Sequence, residues 1–200
     1  MANVIGLTGQ TGAGKSSVLK LFQKRGAAII DADSVAHRIT DEDLWCLVEI
    51  ATAFSCLVLN DKGKLNRKAL GKMVFSDPKK LQTLNKIIFP YICEAIRKEI
   101  DANIAAGFQT VVVDGATLIE SGCSKMFTVL ISVTAEEETR ERRIIARDGL
   151  SKADAAHRIS AQQPENFYTE HSDFVIKNDG TPAELEEKVD TVIRAVFKTV

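Results

Sequence analysis

The chain has 200 residues, 45% of them hydrophobic and 26% charged, enough for one sizeable core and a small insertion but not for several independent domains. Basic residues number 26 and acidic residues 27, a formal net charge of −1, which argues against a polycationic nucleic-acid binder. No basic leader with an apolar stretch opens the sequence, and no apolar run is long enough for a bilayer, so neither secretion nor membrane insertion is expected.

Residues 4–8 read as a buried strand. The segment that follows, Gly9-Gln10-Thr11-Gly12-Ala13-Gly14-Lys15-Ser16, fits the phosphate-loop pattern G-x-x-x-x-G-K-[ST]. A helix then begins near Ser17. Residues 27–30 read as a second strand, followed by Asp31-Ala32-Asp33. About eighty residues separate it from the third strand at 110–113, far more than one crossover helix needs. Within that stretch a helix is expected to start at Asp77-Pro78 and to break or kink at Pro90, with Ile92, Ala95, Ile96 and Ile100 marking another amphipathic helix. A fourth strand is expected over 127–133 and a fifth over 174–176. Thr134-Ala135-Glu136-Glu137 and Ser151-Lys152-Ala153-Asp154 read as helix caps, and Thr181-Pro182 starts a last helix whose Leu185, Val189, Val192, Ile193 and Val196 share one side. Nearly continuous Val and Ile in the strands, alternating with helical patterns, predict a three-layer α/β fold with a five-stranded parallel sheet. Cys46, Cys56, Cys93 and Cys123 form no C-x-x-C pair; buried reduced thiols and a cytoplasmic setting are expected.

The phosphate loop predicts a bound nucleoside triphosphate. Gly12, Ala13, Gly14, Lys15, Ser16 and Ser17 would turn backbone N–H groups and a helix N-terminus onto phosphate, Lys15 would reach the β- and γ-phosphates, and Ser16 would ligate Mg²⁺. Asp114 ends an apolar strand, the pattern of a carboxylate that meets Mg²⁺ directly or through water. Asp31 and Asp33 leave the ligand-bearing edge of the sheet, as a proton acceptor, as Mg²⁺ partners through water, or as solvated loop residues. Arg140, Arg143 and Arg147 recur at spacings of three and four and share a helix face, either to stabilise a transferring phosphoryl group or to pair with nearby glutamates. Arg67 lies in the long insertion. His37 by itself reads as structural.

Together these pieces resemble dephospho-CoA kinase over nearly the whole chain. The resemblance rests on Gly6-Leu7-Thr8-Gly9 with the phosphate loop, Ile30-Asp31-Ala32-Asp33-Ser34-Val35-Ala36-His37, Gly63-Lys64-Leu65-Asn66-Arg67, and Val74-Phe75-Ser76-Asp77. It continues with Leu84-Asn85, Arg143, Arg147-Asp148-Gly149-Leu150-Ser151, Arg158-Ile159-Ser160-Ala161-Gln162 and Ser172 to Gly180. It implies transfer of the ATP γ-phosphate to the ribose 3′-hydroxyl of dephospho-CoA. Asp33 would then be the base, with Asp31, His37 and Arg67 on the acceptor. Arg143 and Arg147 would belong to a lid, and Asn178 would lie near the adenine of ATP. Residues 1–35, 107–134 and 166–200 would form the nucleotide-binding core, 36–106 a helical acceptor-binding insertion, and 135–165 the lid.

The pattern departs from the family at four places. Gly115-Ala116-Thr117-Leu118-Ile119 stands where the family has x-P-L-L-x, Phe89-Pro90 where it has H-P, Phe54-Ser55 where it has F-G, and Arg140 where it has Gln. Two other readings share the phosphate loop: a different kinase of a small metabolite or nucleotide, and a nucleotide-gated binding module. Against the module, no N-K-x-D motif occurs and Asp114-Gly115 does not continue as D-x-x-G.

Overall fold

The computed structural model describes residues 2–198. The chain divides into two compact units, one made of residues 1–30 and 100–200, the other of 31–99. In the first unit, strands β1 (Asn3–Gly9), β2 (Ala28–Asp31, whose last residue opens the second unit), β3 (Thr110–Asp114), β4 (Val129–Thr134) and β5 (Phe174–Lys177) form one sheet. Its order is β2-β3-β1-β4-β5, and β1 runs parallel to both neighbours, with Ile5 opposite Val112 and Val129. The expected three-layer α/β fold and five-stranded parallel sheet are found. The strands form because β-branched side chains suit a pleat covered on both faces. Every residue of β1 is buried.

Helix α1 (Lys15–Lys24) and the C-terminal helix α9 (Pro182–Lys198) pack on this sheet. Val18 and Phe22 of α1 join Leu185, Val189, Val192 and Val196 of α9 around Ile5, Leu7, Ile131 and Val133. Each such fully buried side chain contributes about 1.5–3 kcal/mol. The start of α9 is a reciprocal cap: Glu184 accepts from the Thr181 amide at 2.6 Å, and the Thr181 hydroxyl accepts from the Glu184 amide at 3.3 Å. Between β4 and β5 come α6 (Glu137–Asp148), α7 (Lys152–Ser160) and the single-turn helix α8 (Glu165–Glu170). Ile144, Ala155 and Ile159 form a small core joining α6 to α7. The Ser151 cap is found, with its hydroxyl accepting from the Asp154 amide at 3.1 Å. Thr134 is not a cap. It is the last residue of β4 and its hydroxyl is buried without a hydrogen-bond partner, because the strand runs on through it and α6 begins only at Glu137.

The second unit contains α2 (Ala32–Glu42), α3 (Leu44–Phe54), α4 (Arg67–Val74) and most of α5 (Pro78–Ala105). Its core gathers Leu47, Ile50 and Phe54 with Val58, Leu65, Leu70 and Val74, and Leu81, Leu84, Ile87, Ile88 and Tyr91 of α5 pack against it. The break expected at Pro90 does not occur: α5 is one helix of 28 residues with Pro90 inside. Proline removes one helical hydrogen bond and crowds the preceding turn, at about 3 kcal/mol. The apolar anchors on either side of Pro90 outweigh that penalty. Cys46 and Cys56 are free thiols, whereas Cys93 and Cys123 are disulfide-bonded. Buried reduced thiols were the expectation for all four; Cys56 is exposed and Cys93 and Cys123 are not thiols, because spacing along the chain shows neither burial nor oxidation. Burial, with help from Asp43 and Glu49, pushes the Cys46 thiol up to about 11.

Candidate active site

The phosphate loop leaves the C-terminal end of the central strand β1 and enters α1. Gly14 caps the helix with φ 93° and ψ 26°, a left-handed conformation that glycine adopts without strain. A Cβ there would also lie 2.2 Å from Asn178 Nδ2, and one at Gly12 would lie 2.7 Å from the Arg140 carbonyl oxygen. The missing side chains are therefore what lets neighbouring segments close on the loop. The amides of Ser17 and Val18 both donate to the Gly14 carbonyl, at 2.9 and 3.3 Å. In an α-helix the amides ahead of these, here those of Lys15 and Ser16, have no intrahelical acceptor. No acidic residue sits in the first turn of α1, so its positive end is open to an anion.

Three side chains brace the loop from other parts of the same unit. Asn178, at 6% exposure, donates from Nδ2 to the Ala13 carbonyl at 2.7 Å. Arg143 Nη1 donates to the carbonyls of Gly12 and Ala13 at 3.4 and 3.3 Å. Gln162 Oε1 accepts from the Thr11 amide at 2.6 Å. Sequence reading missed Gln162 as a site residue. It lies in the Arg158 to Gln162 stretch, but the signal there is a single amide side chain just past a helix, which spacing cannot tie to a loop some 150 residues earlier.

Lys15 Nζ donates to Asp114 Oδ1, so the loop lysine meets the strand-end carboxylate, with both side chains about one-fifth exposed. Ser16 and Ser17 are exposed on the first turn of α1. The hydroxyl of Ser16 and the carboxylate of Asp114 are hard oxygen donors, a set that suits Mg²⁺ when phosphate oxygens and water complete the coordination. Among the described residues, no group of three or more His, Cys, Asp and Glu side chains could hold a metal ion unaided.

Of the three arginines aligned by spacing, only Arg143 contacts the loop backbone with its side chain. Arg140 is buried at 6% exposure, and its Nε donates to the Ala135 carbonyl. Arg147 makes a two-pronged pair with its neighbour Asp148, at 2.8 and 2.9 Å, and Arg158 joins the same carboxylate from α7. The hydrogen bonds from Arg147, reinforced by both guanidinium charges, hold the Asp148 carboxyl below the usual carboxylate range, and Asp148 raises the Arg147 guanidinium.

The remaining candidates lie in the second unit. Asp31 caps α2, accepting from the amides of Asp33 and Ser34 at 3.0 and 3.2 Å and from the Ser34 hydroxyl at 2.8 Å. Asp33 occupies the first turn of α2 with its side chain exposed. Arg67 opens α4 and reaches back to α2, donating from Nη2 to the His37 carbonyl, the Thr40 hydroxyl and the Asp41 carboxylate at 3.1, 2.8 and 2.9 Å. Asp33, His37, Thr40 and Arg67 line a cavity of about 400 Å³ together with apolar side chains including Leu70, Val74, Leu84 and Ile88.

Residues 3–184 match the family model for dephospho-CoA kinase. A dephospho-CoA kinase of Shouchella clausii is 37% identical over 177 residues, spanning 88% of this chain and 90% of its own. Among solved structures, a protein of Thermus thermophilus superposes with a TM-score of 0.78 at 30% identity, covering all of this chain and 98% of its own. A dephospho-CoA kinase from Campylobacter jejuni superposes at 0.70 with 27% identity, covering 100% and 99%.

Proposed function

The chain belongs to the dephospho-CoA kinase family, and from that premise we propose that it transfers the γ-phosphate of ATP to the ribose 3′-hydroxyl of dephospho-CoA, giving coenzyme A. The observation that carries this reading over a nucleotide-gated module is the cavity of the second unit. A module needs the braced phosphate loop alone. This chain also has a pocket lined by a carboxylate, an imidazole and a guanidinium, groups suited to an acceptor that is both anionic and hydroxylic.

In the transfer, the acceptor 3′-oxygen forms a bond to the γ-phosphorus as the bond to the β,γ-bridging oxygen breaks, and ADP departs with that electron pair. Asp33 takes the proton of the attacking hydroxyl. Asp31 serves this step by capping α2, which fixes the turn carrying Asp33. The N–H groups of residues 12–16 cradle the phosphates. Lys15 and Arg143 place positive charge on the oxygens where it builds in the transition state. Arg147 and Ser17 are assigned secondary contacts, and Asn178 holds the loop on the nucleotide side. Ser16 and Asp114 would hold Mg²⁺, which supplies charge neutralisation across the β- and γ-phosphates. Arg67 and His37 face the acceptor, Arg67 being fixed in direction by its bonds to α2. No helix among the described residues is long and apolar enough to cross a membrane, and dependence on ATP supports a cytoplasmic location.

The test is coupled ADP release with purified protein, ATP and Mg²⁺, comparing dephospho-CoA with nucleoside monophosphates, a sugar alcohol and no acceptor. ADP release should rise many-fold with dephospho-CoA alone, and mass spectrometry should show the product gaining one phosphoryl group. A rate equal to that without acceptor would overturn the reading.

A further inference from the structure

Phe75 is the C-cap residue of α4 and is 81% exposed, the most exposed large hydrophobic side chain among the described residues. Leaving a phenyl ring in water forfeits the gain of burying it, so an open ring that also lines a cavity calls for an explanation. Its surroundings are specific. One edge of the ring lies over α4 at Gly71, where a Cβ would stand 3.4 and 3.5 Å from ring carbons Cε2 and Cδ2. The same ring lines the cavity that holds Asp33, His37 and Arg67. The lining thus combines hydrogen-bonding groups, the apolar Leu70, Val74, Leu84 and Ile88, and one phenyl ring.

We infer that Phe75 is the platform on which the purine base of the acceptor stacks, and that it sets the preference for an acceptor that carries a base. The inference rests on the proposed function. In dephospho-CoA the 3′-hydroxyl and the adenine belong to one ribose. An acceptor whose 3′-oxygen reaches Asp33 therefore carries its base only a ribose width away. Phe75 is the one phenyl, phenol or indole ring in that lining. Bases stack on such rings without needing hydrogen bonds from them, so one open face is sufficient.

The experiment measures KM for each substrate with the wild-type protein and with Phe75→Ala, Phe75→Leu and Phe75→Trp, each checked for a native melting transition. Since the side chain is mostly in solvent, all four proteins should fold. Stacking predicts that Ala and Leu both raise KM for dephospho-CoA by roughly 10- to 100-fold, that Trp keeps it near the wild-type value, and that KM for ATP stays constant throughout. A Leu variant with wild-type KM would replace stacking by simple apolar contact and overturn the inference, as would an Ala variant without effect. Quenching of an ethenoadenine analogue of dephospho-CoA on binding to the wild-type protein gives an independent readout, and absence of quenching also counts against it. If wild-type protein shows no ADP release dependent on dephospho-CoA, the proposed function falls and this inference with it. If the wild type is active and the variants match it, only the role of Phe75 falls.

Discussion

Asn178 holds the Ala13 carbonyl at 2.7 Å, tying the segment after β5 to the middle of the phosphate loop. The resemblance implied a place for Asn178 near the adenine of ATP. Its buried amide is engaged with the loop backbone, and it fills the space that Gly14 leaves.

Replacing Asn178 by Ala removes that tether and leaves the Ala13 carbonyl only the longer bond from Arg143, a loss of about 0.5–1.5 kcal/mol. The expected result is a weaker grip on ATP: KM for ATP should rise roughly 2- to 10-fold, with KM for dephospho-CoA unchanged. Isothermal titration with ADP separates binding from turnover, and unchanged ADP affinity would remove Asn178 from the site.

Asp33→Asn tests the assignment of the base. The cap on α2 uses the Asp33 backbone amide and the Asp31 side chain, so the substitution leaves the helix start intact. It deletes the negative charge and with it the capacity to take a proton. Turnover should fall by about 10²- to 10⁴-fold while ATP affinity stays near the wild-type value. A collapse of ATP affinity would move Asp33 from proton transfer to Mg²⁺ organisation.

Ser55 has φ 79° and ψ 152° and is the one non-glycine residue with positive φ among the described residues. That region is open almost solely to glycine, and a side chain there costs about 1–3 kcal/mol. The hydroxyl returns little, accepting from the Leu57 amide at 3.5 Å. Ser55→Gly, which restores the family's F-G, should stabilise the protein by about 1 kcal/mol after the added entropy of the unfolded chain is counted. A higher denaturant midpoint at unchanged slope is the expected signature, and a lower midpoint would show that the backbone there is relaxed.

Asp148 gives the pH dependence of the α6–α7 pair. Its folded pKa is depressed, chiefly by the hydrogen bonds from Arg147. Its contribution is therefore complete above the ordinary aspartate value of about 4 and is lost as pH falls through the lower folded value. Asp148→Asn should melt slightly below wild type at neutral pH, and the gap should close as the pH is taken below about 4. Parallel melting temperatures across the whole range would mean that the carboxylate contributes nothing.

The sheet was legible because runs such as Thr110-Val111-Val112-Val113 leave few alternatives to a strand covered on both faces. The phosphate loop was legible because its chemistry is local in sequence. Arg140 was not: helical spacing puts it in line with Arg143 and Arg147, but spacing cannot show that the first turn of α6 is covered, and Arg140 is buried there. Pro90 misled for the complementary reason, since the penalty of proline is local while the packing of Leu84, Ile87 and Ile88 that overrides it is tertiary. The cavity of the second unit needs α2, α4 and α5 together, and no single stretch of sequence announces it.

The bond from the Thr11 amide to Gln162 ties the phosphate loop to the far end of α7. At its near end α7 is joined to α6 through Gly149, in the left-handed conformation with nothing within 4 Å of where a Cβ would stand. Any outward swing of α7 that carries Gln162 with it takes the acceptor away from Thr11. The grip of the phosphate loop on its own shape thus depends on a residue some 150 positions away, and a substitution at Gln162 reaches the loop through the Thr11 amide even though its side chain performs no chemistry.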